Sequence, residues 1–302
     1  MEIKMPPLSS PAHYTADVEF QNPIRQVRGF IMRNYNKGMH SQGFYEINIV
    51  LAGEAMHFIG KSHFKVGVGD TFIIPPDVMH GYVGGSGFDV YHILISPKYL
   101  EKHGAELQLM PAFSSLFRID PLVRENTSAR LYFRLNNSEI EDLLPRLDYL
   151  AESTLAQDTA HAIMANHEAL SVIALLCEIY ENHRGSEGLK DNEDEVFLQS
   201  IAYIYTHYNE KITLDNLIKM AKMSRTAYIE KFKRVTGKPP AGFVRSYRIQ
   251  MAKHLLSESN LSESEIAAAV GLTDTSHLIK LFTAEMGITP SLYRRQQAEN
   301  KK

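Results

Sequence analysis

The sequence of 302 residues contains a single cysteine, and it lacks any long apolar run. A lone cysteine excludes an internal disulfide, and we expect Cys177 to be a buried structural thiol because it lies in an apolar helical pattern. The longest apolar stretches are shorter than the roughly 18–20 residues that cross a membrane, and the N-terminus lacks the apolar core of a signal peptide. These absences predict a cytoplasmic protein with no membrane partner.

The charged residues are unevenly divided along the chain. Residues 196–302 carry 16 Lys and Arg against 9 Asp and Glu, whereas residues 1–195 carry 16 against 26. A basic C-terminal third on an acidic body indicates that one domain meets a polyanion and the other does not. The imbalance alone is not decisive, because many surfaces are basic by chance.

Hydrophobic periodicity separates two kinds of structure. Between about 27 and 96, apolar residues alternate or form short runs broken by Gly, Pro and Asp, which is typical of a barrel or sandwich of short strands. From about 138 the spacing becomes helical, and GSEGLKDNEDE has the polar composition of a linker. We therefore predict an α+β protein with four segments: a barrel with an N-terminal arm (1–136), a helical segment (137–184), a linker (185–195) and an all-α domain (196–302).

One pattern of residues typical of helix ends occurs twice in the C-terminal domain. FKRVTGKPP at 232–240 and FTAEMGITP at 282–290 place Phe, Gly and Pro at the same spacing, fifty residues apart. Gly suits the left-handed end of a helix, and Pro suits the first turn of the next one. Each stretch completes a pair of short helices joined by a tight turn. The sequence therefore predicts two helix-turn-helix units.

Two such units on a basic domain favour DNA binding over a helical protein-interaction domain with a solvated basic face. Recognition helices enter the major groove, and two of them can reach groove segments about one helical turn, roughly 34 Å, apart. The predicted base-contacting residues are Arg225, Thr226, Ile229, Glu230, Thr275, Ser276, Ile279 and Lys280. The predicted phosphate-contacting residues are Ser224, Lys231, Lys233, Arg234, Lys238, Arg245 and Arg248.

Residues 196–302 resemble the DNA-binding domain of the AraC family of bacterial transcription regulators. The resemblance is carried by MSRTAYIEKFKRVTGKPPAGFVRSYRIQMAKHLL and above all by EIAAAVGLTDTSHLIKLFTAEMGITPSLYRR. Leu272 replaces the Phe that members usually have, and Glu230 stands where many have a basic residue, which indicates a different base preference. The resemblance implies a homodimer that binds double-stranded DNA at promoter half-sites, contacts RNA polymerase and activates transcription without catalysing a reaction.

The N-terminal domain has polar residues spaced in a way that resembles the two motifs of cupin β-barrels. His40, Glu46 and His80, in MHSQGFYEINIVLAG and GDTFIIPPDVMH, have the residue types and spacing that converge on a metal. Gln42 replaces the second His of the first motif, and Gly84 replaces the Asn of the second. We therefore predict no metal and no other cofactor, and we expect these groups to hydrogen-bond inside the barrel or to a ligand.

Cupin barrels are also the sensing domains of many AraC-family regulators, and a small barrel can hold one small ligand. The resemblance implies a small-molecule effector, and a sugar or a sugar derivative is the candidate. It also implies that an N-terminal arm of about twenty residues covers the bound effector. The predicted ligand-binding residues are His40, Tyr45, Glu46, His80, Tyr82 and His92.

The helical segment is predicted to form the dimer contact. The predicted contact residues are Leu143, Leu147 and Leu150 on one helix and Ile163, Leu170 and Ile173 on the next. The alternative is that one of these stripes packs on the barrel. Two other functions stay open: a barrel that only dimerises without a ligand, and a metal-dependent cupin enzyme fused to a DNA-binding domain.

Overall fold

The computed structural model describes residues 6–60, 62–107, 109–119, 121, 133–156, 158–186 and 193–300. The chain divides into two compact units, Met1–Gly188 and Leu189–Lys302. This division falls inside 185–195, the predicted linker, of which 187–192 lie outside the described residues. The flanking helices extend to Ser186 and begin at Glu193, so both ends of the predicted linker are helical.

The first unit is built on two five-stranded sheets, with strand orders β1-β3-β8-β5-β6 and β10-β7-β4-β9-β2. Neighbouring strands are antiparallel except β1, which pairs parallel to β3. The predicted cupin-like β-rich domain is confirmed. The strands are β1 Leu8–Tyr14, β2 Val27–Met32, β3 Lys37–Gln42, β4 Tyr45–Ala52, β5 Glu54–Ile59, β6 Ser62–Gly67, β7 Asp70–Ile74, β8 His80–Gly84, β9 Asp89–Ile95 and β10 Phe133–Arg134.

The pleat of β4 sends alternate side chains to two different cores. Ile47 and Ile49 face the helices, where they join the larger hydrophobic cluster. Val50 lies in the separate cluster between the sheets, and Glu46 and Asn48 share its side of the strand. Both polar residues are buried. The space between the sheets therefore contains polar groups on an otherwise apolar wall.

Helices cover the outer face of the second sheet. The helix α4, Asn137–Leu155, begins with a capping box. Asn136 accepts from the backbone N–H of Glu139, and the Glu139 carboxylate accepts from the backbone N–H of Asn136. The helices of the first unit are α1 Ala16–Glu19, α2 Pro97–Leu107, α3 Pro111–Ser114 followed by a π-helical turn Ser115–Ile119, α4 Asn137–Leu155 and α5 Thr159–Ser186.

The leucine stripe of α4 is part of the chain's own core, so its prediction as a dimer contact was wrong. Leu143, Leu147 and Leu150 are 0% exposed. Tyr91 on β9 donates a hydrogen bond of 2.5 Å to the carbonyl of Leu147. On α5, Ile173 is also buried in the same cluster. Burial by the chain's own sheet leaves these side chains no surface to offer a second copy.

The helix α5 contains the one segment of the described chain, Thr159–His183, that has the length and composition of a membrane span. This is weak evidence for a membrane, because a core helix passes the same test. Ala165, Ala169, Val172 and Cys177 are buried in the hydrophobic cluster beneath the sheet. The apolar character of α5 is explained by this packing.

The second unit is all-helical, as predicted. Tyr228 and Phe232 pack with Phe197, and Leu278 and Phe282 are fully buried. Its helices are α6 Glu193–His207, α7 Leu214–Ala221, α8 Arg225–Thr236, α9 Pro240–Glu258, α10 Glu263–Ala269, α11 Thr275–Met286 and α12 Pro290–Asn300.

Candidate functional site

A cavity of about 120 Å³ opens between the sheets of the first unit. Its wall combines aromatic rings with hydrogen-bonding groups, a mixture that is typical of sites for small polar organic molecules. The cavity is lined by Tyr14, Glu19, Phe30, Met32, Tyr35, Lys37, His40, Gln42, Phe44, Glu46, His92 and Leu94.

A buried carboxylate occupies the inner wall of this cavity. Glu46 accepts a hydrogen bond from Nδ1 of His92, and its Oε2 lies 3.3 Å from Nε2 of Gln42 and 3.4 Å from Nε2 of His80. Burial alone would raise the pKa of Glu46, but the facing imidazoles of His92 and His80 outweigh it and hold this pKa below its usual value. The carboxylate is therefore ionised and held in one orientation.

His40 lies opposite Glu46 on the neighbouring sheet. Its ring centroid is 4.2 Å from that of His80. Burial, with His80 beside it, lowers the pKa of His40 to about 4, so the ring is neutral at pH 7. The cavity thus offers an anionic acceptor, Glu46, and the neutral imidazole of His40 beside its aromatic rings.

The N-terminal arm lies against the cavity and contributes Tyr14 and Glu19 to its lining. Strand β1 adds to the edge of β3, where Nδ1 of His13 is 2.8 Å from the Ser41 hydroxyl. Tyr14 places its ring 5.6 Å from that of His40 and its hydroxyl 2.5 Å from the ammonium of Lys37. Residues of the arm therefore form part of the cavity wall.

Each helix-turn-helix of the second unit has a structured turn. Lys222 ends α7 in the left-handed conformation with a φ of 50°, and Ser224 caps α8 by accepting from the Ala227 N–H at 3.4 Å. After α10, Gly271 takes the left-handed conformation with a φ of 72°. Asp274 then caps the start of α11. The predicted glycine ends of the two second helices are also confirmed, because Gly237 and Gly287 both have a φ of 74°.

The outward faces of α8 and α11 are accessible. Arg225, Thr226 and Glu230 are exposed on α8, and Ser276, Ile279 and Lys280 are exposed on α11, while Ile229 and Thr275 are half-buried. Arg225 pairs at 3.0 Å with Asp215 on α7. Because both side chains of this pair are largely exposed, it contributes little to stability and leaves the guanidinium available to DNA.

Two of the predicted phosphate contacts have roles inside the second unit. Arg248 donates to the carbonyl oxygens of Tyr208 at 2.7 Å and Glu210 at 2.6 Å, and burial lowers its pKa. Lys238 donates to Ser246 and Glu285, which joins the first helix-turn-helix to α11. Arg248 is therefore a structural residue rather than a phosphate contact.

The other predicted phosphate contacts lie on or near α8 and α9. Ser224, Lys233, Arg234 and Arg245 are exposed. Lys231 is half-buried, with its ammonium 4.7 Å from the centre of the Phe197 ring.

Two family models match the chain. Residues 24–193 match the AraC-like ligand binding domain, and residues 217–296 match a helix-turn-helix domain. The chain belongs to the AraC family. It is a DNA-binding transcription regulator with a domain for a small-molecule ligand, as predicted.

Known proteins resemble this AraC-family regulator at low identity. The HTH-type transcriptional activator RhaR of Escherichia coli O139:H28 is 23% identical over 265 residues, which cover 86% of this chain and 88% of RhaR. The C-terminal domain of the response regulator yesN from Fusobacterium nucleatum is 31% identical, with 34% of this chain and 99% of that one covered and a TM-score of 0.31. ToxT from Vibrio cholerae O395, bound to a naphthalenyl butenoic acid, is 12% identical, with 90% and 98% covered and a TM-score of 0.35.

The predicted ligand-binding residues of this AraC-family regulator fall into three groups. His40, Glu46 and His92 line the cavity. His80 contacts Glu46 from behind the wall, and Tyr82 lies deeper, where its ring stacks 4.5 Å from that of His57. Tyr82 is therefore a core residue of the barrel rather than part of the cavity wall.

The prediction of Tyr45 as a ligand-binding residue was wrong. Its ring packs on the outer, helical side of the sheet, 6.5 Å from the ring of Phe117. Adjacent residues of a strand point to opposite faces, so Tyr45 and Glu46 cannot both line one cavity.

Several residues of the cavity wall were not predicted from the sequence. Phe30 stacks on His92 with 5.6 Å between the ring centroids, Tyr35 approaches His92 edge-on at 4.7 Å, and Lys37 reaches the arm. The alternation of β2 indicates which of its residues point inward. Phe30 contacts His92 because β2 pairs with β9. No local pattern in the sequence specifies the register of that pairing.

Proposed function

We propose that the chain is a cytoplasmic transcription activator whose DNA binding is controlled by a small molecule held in the barrel cavity, and that it catalyses no reaction. The observation that carries this proposal is the cavity itself. It combines a fixed carboxylate, the neutral imidazole of His40 and aromatic rings with a wall to which the N-terminal arm contributes. An effector that enters it alters the contacts of the arm, and a ligand with different affinity for two arrangements shifts the equilibrium between them.

A sugar or a sugar derivative fits the chemistry of this cavity. Glu46 accepts hydrogen bonds from hydroxyl groups, Gln42 and the histidines add further polar contacts, and the rings of Phe30 and Tyr14 provide apolar faces. The volume of about 120 Å³ restricts the effector to a small molecule. Its relative RhaR is named as a transcriptional activator, in keeping with activation as the output.

DNA recognition is assigned to α8 and α11. Arg225 and Lys280 suit guanine, Glu230 accepts from cytosine, and Ile229 and Ile279 meet thymine methyl groups. The outward faces are completed by Thr226, Thr275 and Ser276. The phosphate-contacting residues are Ser224, Lys231, Lys233, Arg234 and Arg245. Lys238, which donates to Glu285, is also within reach of the DNA phosphates.

The chain acts as a homodimer that contacts RNA polymerase. After the leucines of α4 are assigned to the core, the remaining candidates for the two-fold contact are Ile163, which is 45% exposed, and the half-buried Leu170 on α5. An exposed isoleucine on a long helix with a partly open face suits an isologous contact. Sedimentation of Ile163→Asp at micromolar concentration should give monomer where the unchanged chain gives dimer.

A thermal-shift screen of the full-length protein tests the ligand assignment. The panel contains pentoses, hexoses, deoxyhexoses and sugar phosphates, and a ligand at 100 times its Kd stabilises the folded state by about 2.7 kcal/mol. A hit should be weakened about tenfold or more by Phe30→Ala, which removes an aromatic wall worth on the order of 1.4 kcal/mol. Val83→Ala, on an exposed residue outside the cavity, is the control. Equal binding by both variants would contradict the cavity as the site.

A further inference from the structure

Three polar side chains from different strands meet at the inner wall of the cavity. His40 lies on β3, Glu46 on β4 and His80 on β8. All three are buried, and one ligand-type atom from each lies within 4.8 Å of the other two. The group is not a surface cluster of acidic residues, because its members are buried and come from three strands of two facing sheets.

The backbone orients both imidazoles. Nδ1 of His40 lies 2.9 Å from the carbonyl oxygen of Gly38, and Nδ1 of His80 lies 3.1 Å from that of Val78. A carbonyl only accepts, so Nδ1 donates in each ring, and Nε2 is the ring atom that can bind a metal. Within the described residues, the buried Nε2 of His80 makes no hydrogen bond. Histidines that bind metals are typically held by a backbone carbonyl in this way.

The separation of the ligand atoms suits a shared ion. Nε2 of His80 and Oε2 of Glu46 are 3.4 Å apart. Two atoms that each lie about 2.1 Å from one metal, at a tetrahedral angle, are separated by roughly 3.4 Å. The ligand atoms lie within 4.8 Å of one another, so the widest gap in the group has to shorten by up to about 1.4 Å for full coordination.

The carboxylate is already oriented by a second layer of contacts. His92 binds one oxygen of Glu46, and Gln42 donates to the other at 3.3 Å. The Oε1 atom of Gln42 is buried without a hydrogen bond among the described residues, so an amide oxygen is available beside the group. His40 and Glu46 also line the cavity, so an ion between them would have open positions facing the ligand space.

We propose that His40, Glu46 and His80 bind one divalent transition-metal ion of the class of Zn²⁺, Co²⁺ and Ni²⁺, with an open coordination position toward the effector cavity. Two imidazoles and one carboxylate favour these ions over Mg²⁺ and Ca²⁺, which prefer oxygen ligands. Gln42 removes one histidine of the first motif, but the three ligand residues that remain match the number of protein ligands in metal sites with an open position. The proposal holds whether or not the effector is a sugar.

Titration of the chelator-treated, full-length protein with CoCl₂ and ZnCl₂ tests the site. We expect one ion per chain by calorimetry, and visible Co²⁺ absorption bands of a low-symmetry site with nitrogen and oxygen ligands. Because loss of even a supporting contact weakens metal affinity by about 10–100-fold, His40→Gln and His80→Gln should each weaken it at least that much. His161→Gln is the matched control, since His161 forms an exposed pair with Asp158 at 2.6 Å.

Three results of the titration would overturn the proposal. These are no binding at one equivalent, binding that survives both His40→Gln and His80→Gln, and binding lost in His161→Gln, which marks an adventitious surface site. Circular dichroism establishes that each variant is folded. If His80→Gln does not fold, Glu46→Gln, which keeps the shape of the side chain, takes its place beside His40→Gln. The Co²⁺ spectrum of the unchanged protein also has to show nitrogen ligation, and a spectrum like that of the aqueous ion contradicts the site.

Discussion

A methyl group added at Gly29 tests the assignment of the α4 leucines to the core. Gly29 lies on β2, directly beneath α4. A Cβ atom there would be 2.5 Å from the Tyr91 hydroxyl oxygen, 2.6 Å from Cγ of Leu150 and 2.8 Å from its Cδ2. The Gly29 N–H also donates to Thr154 on α4 at 2.8 Å. The strand and the helix are therefore as close as a glycine permits.

The cost of Gly29→Ala follows from these distances. Contacts under 3.0 Å require α4 or Tyr91 to move, and the hydrogen bond from Tyr91 to the Leu147 carbonyl weakens with either movement. Overpacking of a core by one methyl typically costs about 1–3 kcal/mol. In a unit of this size, each kcal/mol lowers Tm by about 2–4 °C, so the expected decrease is roughly 2–12 °C.

Differential scanning calorimetry of the full-length protein measures this decrease. Only the transition of the first unit should shift, while the transition of the DNA-binding unit stays in place. The control is Gly85→Ala, because a Cβ at Gly85 meets nothing within 4 Å. Equal Tm values for the two variants would refute the close packing of α4 on β2 and would again make the leucine stripe a candidate dimer surface.

Two further predictions concern single residues in each unit. Burial raises the pKa of the Cys177 thiol to about 12, so a thiol reagent at pH 8 should label the protein only after denaturation; rapid labelling of the folded chain would contradict its burial. Gly271→Ala should lower the Tm of the DNA-binding unit by more than Gly287→Ala, since both have positive φ but only Gly271 would place a Cβ 2.4 Å from the Asn209 carbonyl oxygen. Equal Tm shifts would contradict this reasoning.

The DNA-binding unit was largely predictable because its signals are local. Caps such as Ser224 and helix ends such as Gly237 and Gly287 act within one turn of the chain, so a sequence pattern contains them. The role of Arg248 was not predictable in this way. Its partners, the carbonyls of Tyr208 and Glu210, are some forty residues away, and an arginine in a basic helix looks the same whether it reaches DNA or its own chain.

The cavity was predictable only in part because strand register assembles it. Glu46 and His92 are brought together by the pairing of β4 with β9, which no local pattern specifies. The assignment of Tyr45 could have been rejected from sequence, since it precedes Glu46 on the same strand. The α4 leucines show a different limit, because an apolar stripe does not reveal whether its own sheet or a second chain covers it.

Equilibrium binding of two recognition-helix variants tests the central claim most directly. Duplexes selected by the full-length protein from a random library serve as the specific DNA, with scrambled duplexes for comparison. Arg225→Ala and Lys280→Ala should each weaken binding to selected DNA by about 1–3 kcal/mol, roughly 5–150-fold, and change binding to scrambled DNA no more than the exposed control Lys211→Ala does. Equal weakening on selected and scrambled duplexes would mean that these side chains touch only phosphate, and it would contradict sequence recognition by α8 and α11.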